Sequence, residues 1–138
     1  MRILFDTNVI LDVMLNRKPF SRTATILLAE VERKKITGYI CSTTVTTIYY
    51  LISKGFDHKR AREQITNLLK IFLVTPVSKE VLVSALNSKI KDYEDAVINE
   101  SCLQSGVEAI VTRNEKDFKN STLKILDPGE LLQMIRLR

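Results

Sequence analysis

The sequence predicts an α/β fold in which a mostly parallel sheet lies between two layers of helices, a three-layer α/β/α arrangement. Short apolar segments alternate along the chain with longer amphipathic segments, which is typical of this class. The short segments show little alternation of polar and apolar residues, as expected for strands that are buried on both faces. The predicted strands are 2–5, 38–41, 72–75, 109–111 and 124–126.

Capping residues mark the helices between these strands. Asp57 and Ser78 are candidate N-caps, because their side-chain oxygens can accept hydrogen bonds from the free amides of a first helical turn. Gly106 suits the position after a helix, and Pro128 suits a first turn. Right-handed crossovers through these helices join parallel strands and bring the carboxyl ends of the strands to one edge of the sheet, where ligands bind. The predicted helices are 21–35, 42–53, 57–70, 78–87, 92–105 and 128–135.

The composition indicates one globular domain over residues 1–138. The chain contains 45% hydrophobic and 27% charged residues, with only 4 Gly and 3 Pro, so it leaves no room for a flexible linker. The formal net charge of +5 is compatible with a polyanionic partner, although many proteins without such a partner are equally basic. Cys41 and Cys102 lie among apolar neighbours and are expected to be buried free thiols.

The apolar N-terminus does not fit a signal peptide, because Asp6 and Asp12 interrupt it and no small-residue cleavage site follows. The longest uncharged stretch, 36–53, contains Thr, Ser and Gly and is expected to form a strand, a turn and a helix rather than a membrane span. We therefore expect a cytoplasmic protein with no membrane partner.

Asp6 is the first candidate functional residue, because it directly follows the first predicted strand and precedes Thr7 and Asn8. A carboxylate and two neutral oxygen-bearing side chains would then lie at the ligand-binding edge of the sheet. An N-cap role for Asp6 or Thr7 explains the same residues equally well.

A second acidic segment contains Asp92, Glu94 and Asp95 at the start of a predicted helix. Capping and the helix dipole account for acids in a first turn. Asp95 is favoured as functional, because its i+3 and i+7 neighbours are apolar and place it toward a semi-buried side. For Asp92 and Glu94 the two interpretations are balanced.

The third polar segment, 111–118, follows the fourth strand and contains Asn114 and Asp117, which a single turn can direct to one point. A polar loop with an Asx turn is the alternative for Asn114. Several carboxylates and one histidine, His58, favour a hard cation such as Mg²⁺ or Mn²⁺ over zinc or a Ser-His-Asp triad. Such a cation suits phosphodiester chemistry. No Gly-rich phosphate loop is present.

Three segments together resemble the PIN-domain ribonucleases, and in particular the small VapC-type toxins of bacterial toxin–antitoxin pairs. They are Ile3–Val9 with Leu11 and Asp12, Asp92–Ala96, and Val111–Asn114 leading to Asp117 and Phe118. They occur in the family order and at the family spacing over nearly the whole chain. The resemblance implies a five-stranded parallel sheet in the order 3-2-1-4-5 and RNA cleavage that depends on Mg²⁺ or Mn²⁺. It also implies a small antitoxin partner and is compatible with a homodimer.

The resemblance assigns roles to single residues. Asp6 and Asp95 match its two firmest acidic positions and would ligate the metal, and Asp117 would complete the set of ligands. Asn114 matches a position that holds Asp or Asn in similar sequences and would help to orient the groups around the metal. The family usually has a Glu on the helix after the second strand, where this chain has Thr47, with Thr46 as the alternative, and therefore no negative charge. The residues that could contact and orient the metal ligands are Thr7, Asn8, Thr47, Asp92 and Glu94.

Basic residues are the expected RNA contacts, among them Arg17 and Lys18 beyond the first acidic segment and Lys54 near a helix start. Arg113 and Lys116 are the better candidates, because both flank the third segment at the rim of the site. The basic run at 58–62 is more typical of a solvated surface. The apolar stretch 49–52 with Phe56 is expected to pack in the core, with a self-association or antitoxin surface as the alternative.

Two other functions remain open from the sequence. A catalytically weakened PIN-like module that binds RNA or protein would explain the missing Glu. A receiver-like signalling domain with an acidic Mg²⁺ pocket is less consistent, because it needs a Lys near the carboxyl end of its last strand, whereas Lys124 begins that strand.

Overall fold

The computed structural model describes all 138 residues and contains one five-stranded sheet in which every strand pair is parallel. Its strand order, β3-β2-β1-β4-β5, is the expected 3-2-1-4-5. The strands agree with the predicted apolar segments to within one residue at each end. They are β1 (Arg2–Phe5), β2 (Thr37–Cys41), β3 (Leu73–Thr75), β4 (Ala109–Val111) and β5 (Lys124–Leu126).

Seven α-helices and one short 3₁₀ helix, Glu115–Phe118, connect the strands. The helix Thr7–Met14 was not among the predicted helices and begins directly after Asp6. The other helices agree with their predicted spans to within a few residues. In chain order the helices are α1 (Thr7–Met14), α2 (Ser21–Glu32), α3 (Ser42–Gly55), α4 (His58–Ile71), α5 (Lys79–Leu86), α6 (Tyr93–Ser105) and α7 (Pro128–Arg136).

Local capping chemistry fixes several of these helix boundaries as the sequence predicts. The side chains of Asp57 and Ser78 accept hydrogen bonds from the amides of Arg60 and Val81 at the starts of α4 and α5. Gly106 ends α6 with a φ of 72°, a left-handed conformation that favours glycine.

Two apolar clusters cover the two faces of the sheet. On β1, Ile3 and Phe5 face a cluster formed with α1, α2, α3, α4 and α7, whereas Leu4 faces a second cluster formed with α5 and α6. Adjacent residues of β1 contribute to different clusters because successive side chains of a strand point to opposite faces of the sheet. Cys41 and Cys102 are buried free thiols in the second cluster, as expected.

The register of the central strands determines where the polar residues lie. Phe5 pairs with Val111, so that Asp6 and Thr112 follow side by side at the carboxyl edge of the sheet. The amide of Asp6 donates to the carbonyl of Val111 at 3.0 Å and extends this pairing by one residue. The chain therefore brings its first and third polar segments together at one edge.

The expectation of core packing for the segment 49–52 with Phe56 is wrong for three of its residues. Ile52 is buried, but Tyr50, Leu51 and Phe56 are 55%, 41% and 50% exposed. The cause is helical periodicity: α3 buries Thr44, Ile48 and Ile52 on one face and packs Val45 and Tyr49 partly against the core, whereas Tyr50 and Leu51 lie on the other side of the helix. None of the helices has the length and apolar character that crossing a membrane requires.

Gly38 on β2 is expected to tolerate no larger side chain. A Cβ atom there would lie 2.7 Å from the ring of Phe72 and 2.8 Å from Cγ1 of Val31, both of which are buried. Gly38→Ala should lower the free energy of unfolding by about 1–3 kcal/mol, measured by urea denaturation. Gly55→Ala is the matched control, because a Cβ atom at Gly55 meets nothing within 4 Å. Equal stability of the two variants would contradict this packing.

Candidate active site

Asp6 is a buried carboxylate, 6% exposed, at the carboxyl end of the central strand. Its Oδ1 atom accepts a hydrogen bond from the amide of Thr7 at 2.9 Å. Its Oδ2 atom accepts from the hydroxyl of Thr112 at 2.7 Å and from Nδ2 of Asn8 at 3.3 Å. Burial raises the pKa of Asp6, and the hydrogen bonds from Thr112 and Thr7 oppose that rise. Asp6 is therefore both the N-cap of α1 and a rigidly held acid.

Asp95 lies in the first turn of α6 and is half-buried, as the sequence predicts. Burial, followed by the charge of Asp6 and then by those of other nearby acids, raises the pKa of Asp95 to about 7. Its amide donates to Oδ1 of Asp92 at 3.0 Å, so that Asp92 is the N-cap of α6. The carboxylates of Asp6 and Asp95 thus face a common region.

An open groove of about 400 Å³ contains most of the predicted site residues. Asp117 lies in an adjoining cavity that shares Asp92 with the groove, and its charge contributes to raising the pKa of both Asp6 and Asp95. The predicted residues that line the groove are Asp6, Thr7, Asn8, Asp92, Glu94, Asp95, Arg113 and Asn114.

The donor set fits a hard divalent cation. Asp6, Asp95 and Asp117 form no ion pair with a lysine or arginine, and the charges of Asp6 and Asp117 contribute to raising the pKa of Asp95. Carboxylate and amide oxygens are the ligands of Mg²⁺ and Mn²⁺, and no histidine or cysteine lines the groove. Uncompensated carboxylates at this density are stabilised by a cation.

A family model described as "PIN domain" matches residues 2–116. The chain belongs to the PIN domain family. The matched residues include Asp6, Asp95 and Asn114, whereas Asp117 lies one residue beyond them. The family predicted from the three motifs is therefore confirmed.

Relatives of this PIN domain include Ribonuclease VapC1 of Aquifex aeolicus, which is 27% identical over 96% of this chain and 94% of its own length. Two solved structures share the fold. A toxin–antitoxin complex from Klebsiella pneumoniae is 24% identical with a TM-score of 0.68, covering 91% of this chain and 97% of that one. VapC20 of Mycobacterium tuberculosis, a toxin that cleaves the sarcin–ricin loop, is 16% identical with a TM-score of 0.64, covering 78% and 86%.

Thr47 does not line the groove of this PIN domain and is only partly buried on α3. The α3 hydroxyl that reaches the site belongs to Thr44, one turn earlier, whose Oγ1 atom lies 3.0 Å from that of Thr7. Sequence reasoning missed Thr44. The signal for it was positional, because Thr44 falls in the first turn of the helix that follows a central strand.

Thr112 is a second residue that sequence reasoning left without a role. It is fully buried, donates to Asp6, and its hydroxyl oxygen accepts hydrogen bonds from Nδ2 of Asn8 at 3.4 Å and from the amide of Asn114 at 3.0 Å. Its position directly after β4 was the available signal. Thr112 links the first and third polar segments of this PIN domain.

Arg113 lies at the rim of the groove as predicted, but it is held by a third residue without a predicted role, Asp12. Nε and Nη2 of Arg113 donate to the two carboxylate oxygens of Asp12 at 2.6 and 3.1 Å. Its guanidinium carbon lies 3.9 Å from the centroid of the Phe20 ring. Arg113 is therefore a fixed side chain of the groove wall rather than a free surface cation.

Lys116 lines the adjoining cavity of about 300 Å³ on the far side of Asp92. Three more lysines, Lys89, Lys91 and Lys119, line the same cavity, and none of the four forms an ion pair. Positive charge thus borders the acidic groove at this end.

The tightest acidic cluster of this PIN domain lies elsewhere. Glu115, Asp127 and Glu130 have ligand atoms within 4.8 Å of one another, a spacing that Asp6, Asp95 and Asp117 do not reach as a set. Asp127 and Glu130 already form the capping box of α7. The wider spacing of the groove acids suits Mg²⁺, which keeps several waters and binds only one or two carboxylates directly.

Proposed function

We propose that this PIN domain is a cytoplasmic endoribonuclease that depends on Mg²⁺ or Mn²⁺ and is the toxin of a type II toxin–antitoxin pair. The observation that carries the proposal is the buried Asp6 carboxylate, held by three hydrogen bonds beside the half-buried Asp95, with no basic side chain paired to either. Ribonuclease VapC1 and the sarcin–ricin loop cleaving toxin support RNA as the substrate.

Asp6 and Asp95 would hold the cation directly, and Asp117 would hold it directly or through a water. When bound, the cation polarises the phosphoryl oxygen and lowers the pKa of the attacking water. Thr112, Thr7 and Asn8 fix the orientation of the Asp6 carboxylate through their hydrogen bonds. Asn114 faces the same groove and would orient the water or the phosphate.

Thr47 contributes no negative charge where the family usually has a Glu. With three carboxylates rather than four, we expect this site to require a higher cation concentration than a four-carboxylate site does. Thr7 lines the groove and offers a polar but uncharged oxygen, and the buried hydroxyl of Thr44 lies 3.0 Å behind it.

The lysine cavity is expected to bind RNA phosphates. Lys116→Gln combined with Lys119→Gln should weaken binding of single-stranded RNA and reduce the slope of log affinity against log salt by about 0.7 for each phosphate that the protein no longer binds. Fluorescence anisotropy with a labelled RNA measures both. Lys34→Gln with Lys35→Gln is the matched control, because this pair precedes β2 at the opposite edge of the sheet. Equal reductions in both double variants would contradict a specific role for the cavity.

We also propose a small antitoxin and a second copy of this chain as protein partners. The relatives include a toxin–antitoxin complex, and the exposed Tyr50, Leu51 and Phe56 on and after α3 give an apolar surface that monomer packing does not require. Sedimentation of the purified protein over a range of concentrations tests self-association. A strictly monomeric result at all concentrations would contradict it.

Cleavage of a mixed pool of structured and single-stranded RNA by the purified protein tests the proposed function. We expect cleavage with Mn²⁺ or Mg²⁺ and none with EDTA, with activity restored when the cation is added back. A folded protein that binds RNA but cleaves nothing under any condition would instead favour the weakened binding module. In that case Thr47, in place of the family's Glu, would account for the lost cleavage.

A further inference from the structure

Asp12 is a buried charged residue that the proposed chemistry does not use. Its side chain is 1% exposed within the apolar stretch of α1, and two arginines share its carboxylate. Nε of Arg17 donates to Oδ1 at 2.8 Å, while Arg113 donates to both oxygens. Because its oxygens are occupied by arginines, Asp12 is not a ligand of the cation.

The two arginines still have donors that point to no protein acceptor. Arg17 uses Nε for Asp12 and Nη2 for the carbonyl of Asn8 at 3.1 Å, and Arg113 uses Nε and Nη2 for Asp12. Nη1 of each guanidinium therefore remains free. Both side chains line the groove that contains Asp6 and Asp95, and they are 38% and 25% exposed.

The three side chains of this cluster carry a formal net charge of +1, because two arginines share the single carboxylate of Asp12. Neither arginine forms an ion pair with the other carboxylates of the groove. The guanidinium presents its donors in a planar fork that matches the oxygens of a phosphate. Phe20 covers the face of Arg113 and restricts its rotation.

We propose that Arg17 and Arg113 form a phosphate-binding fork for the RNA backbone and that Asp12 is the positioning residue that orients it. The inference rests on the proposed RNA substrate and adds a binding site to it. The fork is coupled to the acidic residues through Asn8, whose carbonyl accepts from Arg17 and whose side chain donates to Asp6. A phosphate bound there would lie in the same groove as the carboxylates and outside the lysine cavity, which neither arginine lines.

Asp12→Asn separates two explanations of RNA binding, because an effect of overall charge and a positioning role of Asp12 change the RNA affinity in opposite directions. Removing a negative charge near a polyanion strengthens binding if only overall charge matters. If Asp12 orients the fork, the same change weakens binding of a labelled single-stranded RNA, by about ten-fold, and lowers the salt slope by about 0.7 or more. The measurement is made in EDTA so that no cleavage occurs. Arg17→Gln should weaken binding to a similar degree, and the double variant should lose less affinity than the two single variants combined.

Two further variants keep the test decisive if Asp12→Asn fails to fold. Phe20 is 42% exposed, so Phe20→Leu leaves the core intact and should weaken binding about two- to five-fold by releasing Arg113. Glu30→Gln is the matched control, because Glu30 is also paired with an arginine but lies on α2 away from the groove. It should leave binding unchanged.

The outcomes separate the fork from the proposed function. RNA binding by Asp12→Asn, Arg17→Gln and Phe20→Leu that equals or exceeds that of the wild type would overturn the fork, as would a wild-type protein that binds no RNA at low salt. Metal-dependent cleavage by the wild type alongside unchanged binding in these variants would leave the nuclease intact. The predicted reductions in binding in a protein that never cleaves RNA would support the fork and contradict the nuclease.

Discussion

Asp6→Asn is expected to reduce metal-dependent RNA cleavage by more than about a hundred-fold while the protein stays folded. The amide keeps an acceptor for the Thr7 N–H and a polar group beside the hydroxyl of Thr112, so that α1 keeps its cap. The substitution removes only the negative charge that would hold the cation. Initial rates on a labelled RNA measure the reduction, and thermal unfolding monitored by circular dichroism measures folding.

Asp57→Asn is the matched control for Asp6→Asn. Asp57 is also the N-cap of a helix that follows directly on it, but it is exposed and lies outside the groove. The control should cleave RNA at the wild-type rate. Metal-dependent cleavage that survives in Asp6→Asn would refute the assignment of the site.

Asp95→Asn is expected to raise the melting temperature of the metal-free protein by about 3 °C at about pH 8 and to leave it unchanged at about pH 4. The folded-state pKa of Asp95 is raised from 3.8 to about 7, so the folded protein holds this proton more tightly than the unfolded chain does. Stability therefore falls as the pH rises from about 4 to 7 and stays low above that range. Asparagine removes this penalty, and the substitution breaks no hydrogen bond to the Asp95 carboxylate.

Mn²⁺ provides the complementary half of the same experiment. At neutral pH the cation should raise the melting temperature of the wild type, because it binds the folded state. It should raise that of Asp95→Asn much less. A variant that is less stable than the wild type at every pH, with an unchanged response to Mn²⁺, would show that Asp95 has a structural role instead.

The fold was largely predictable because its signals are local. Buried parallel strands are continuous apolar segments, and capping residues such as Asp57, Ser78 and Gly106 mark helix boundaries within a few positions. The strand order was not available from these signals, because it depends on which strands pair across the chain, and it came from the resemblance. The helix Thr7–Met14 was considered only as the helix that Asp6 or Thr7 would cap, and its span was not predicted because it begins without a break after β1.

The site was predictable where a residue's position alone determines its surroundings. Asp6, Asp95 and Asn114 follow strands or begin a helix at the carboxyl edge of the sheet, and all three line one groove. The role of Asp12 was not predictable, because its partners are 5 and 101 residues away and only the tertiary structure brings them together. Nor could the pattern separate Thr44 from Thr47, since both lie on one face of α3.

Paramagnetic broadening by Mn²⁺ in a ¹H–¹⁵N spectrum is the measurement that most directly tests where the cation binds. The protein contains two acidic clusters, one formed by Asp6, Asp95 and Asp117 and the other by Glu115, Asp127 and Glu130. The backbone amide signals near each cluster show which one binds the cation. A cation held by Asp6, Asp95 and Asp117 should broaden the signals of Thr7, Asn8 and Ala96 at low Mn²⁺ while those of Gly129 and Leu131 stay sharp. Broadening that begins instead around Asp127–Leu131 would assign the cation to the cluster at α7 and contradict the proposed active site.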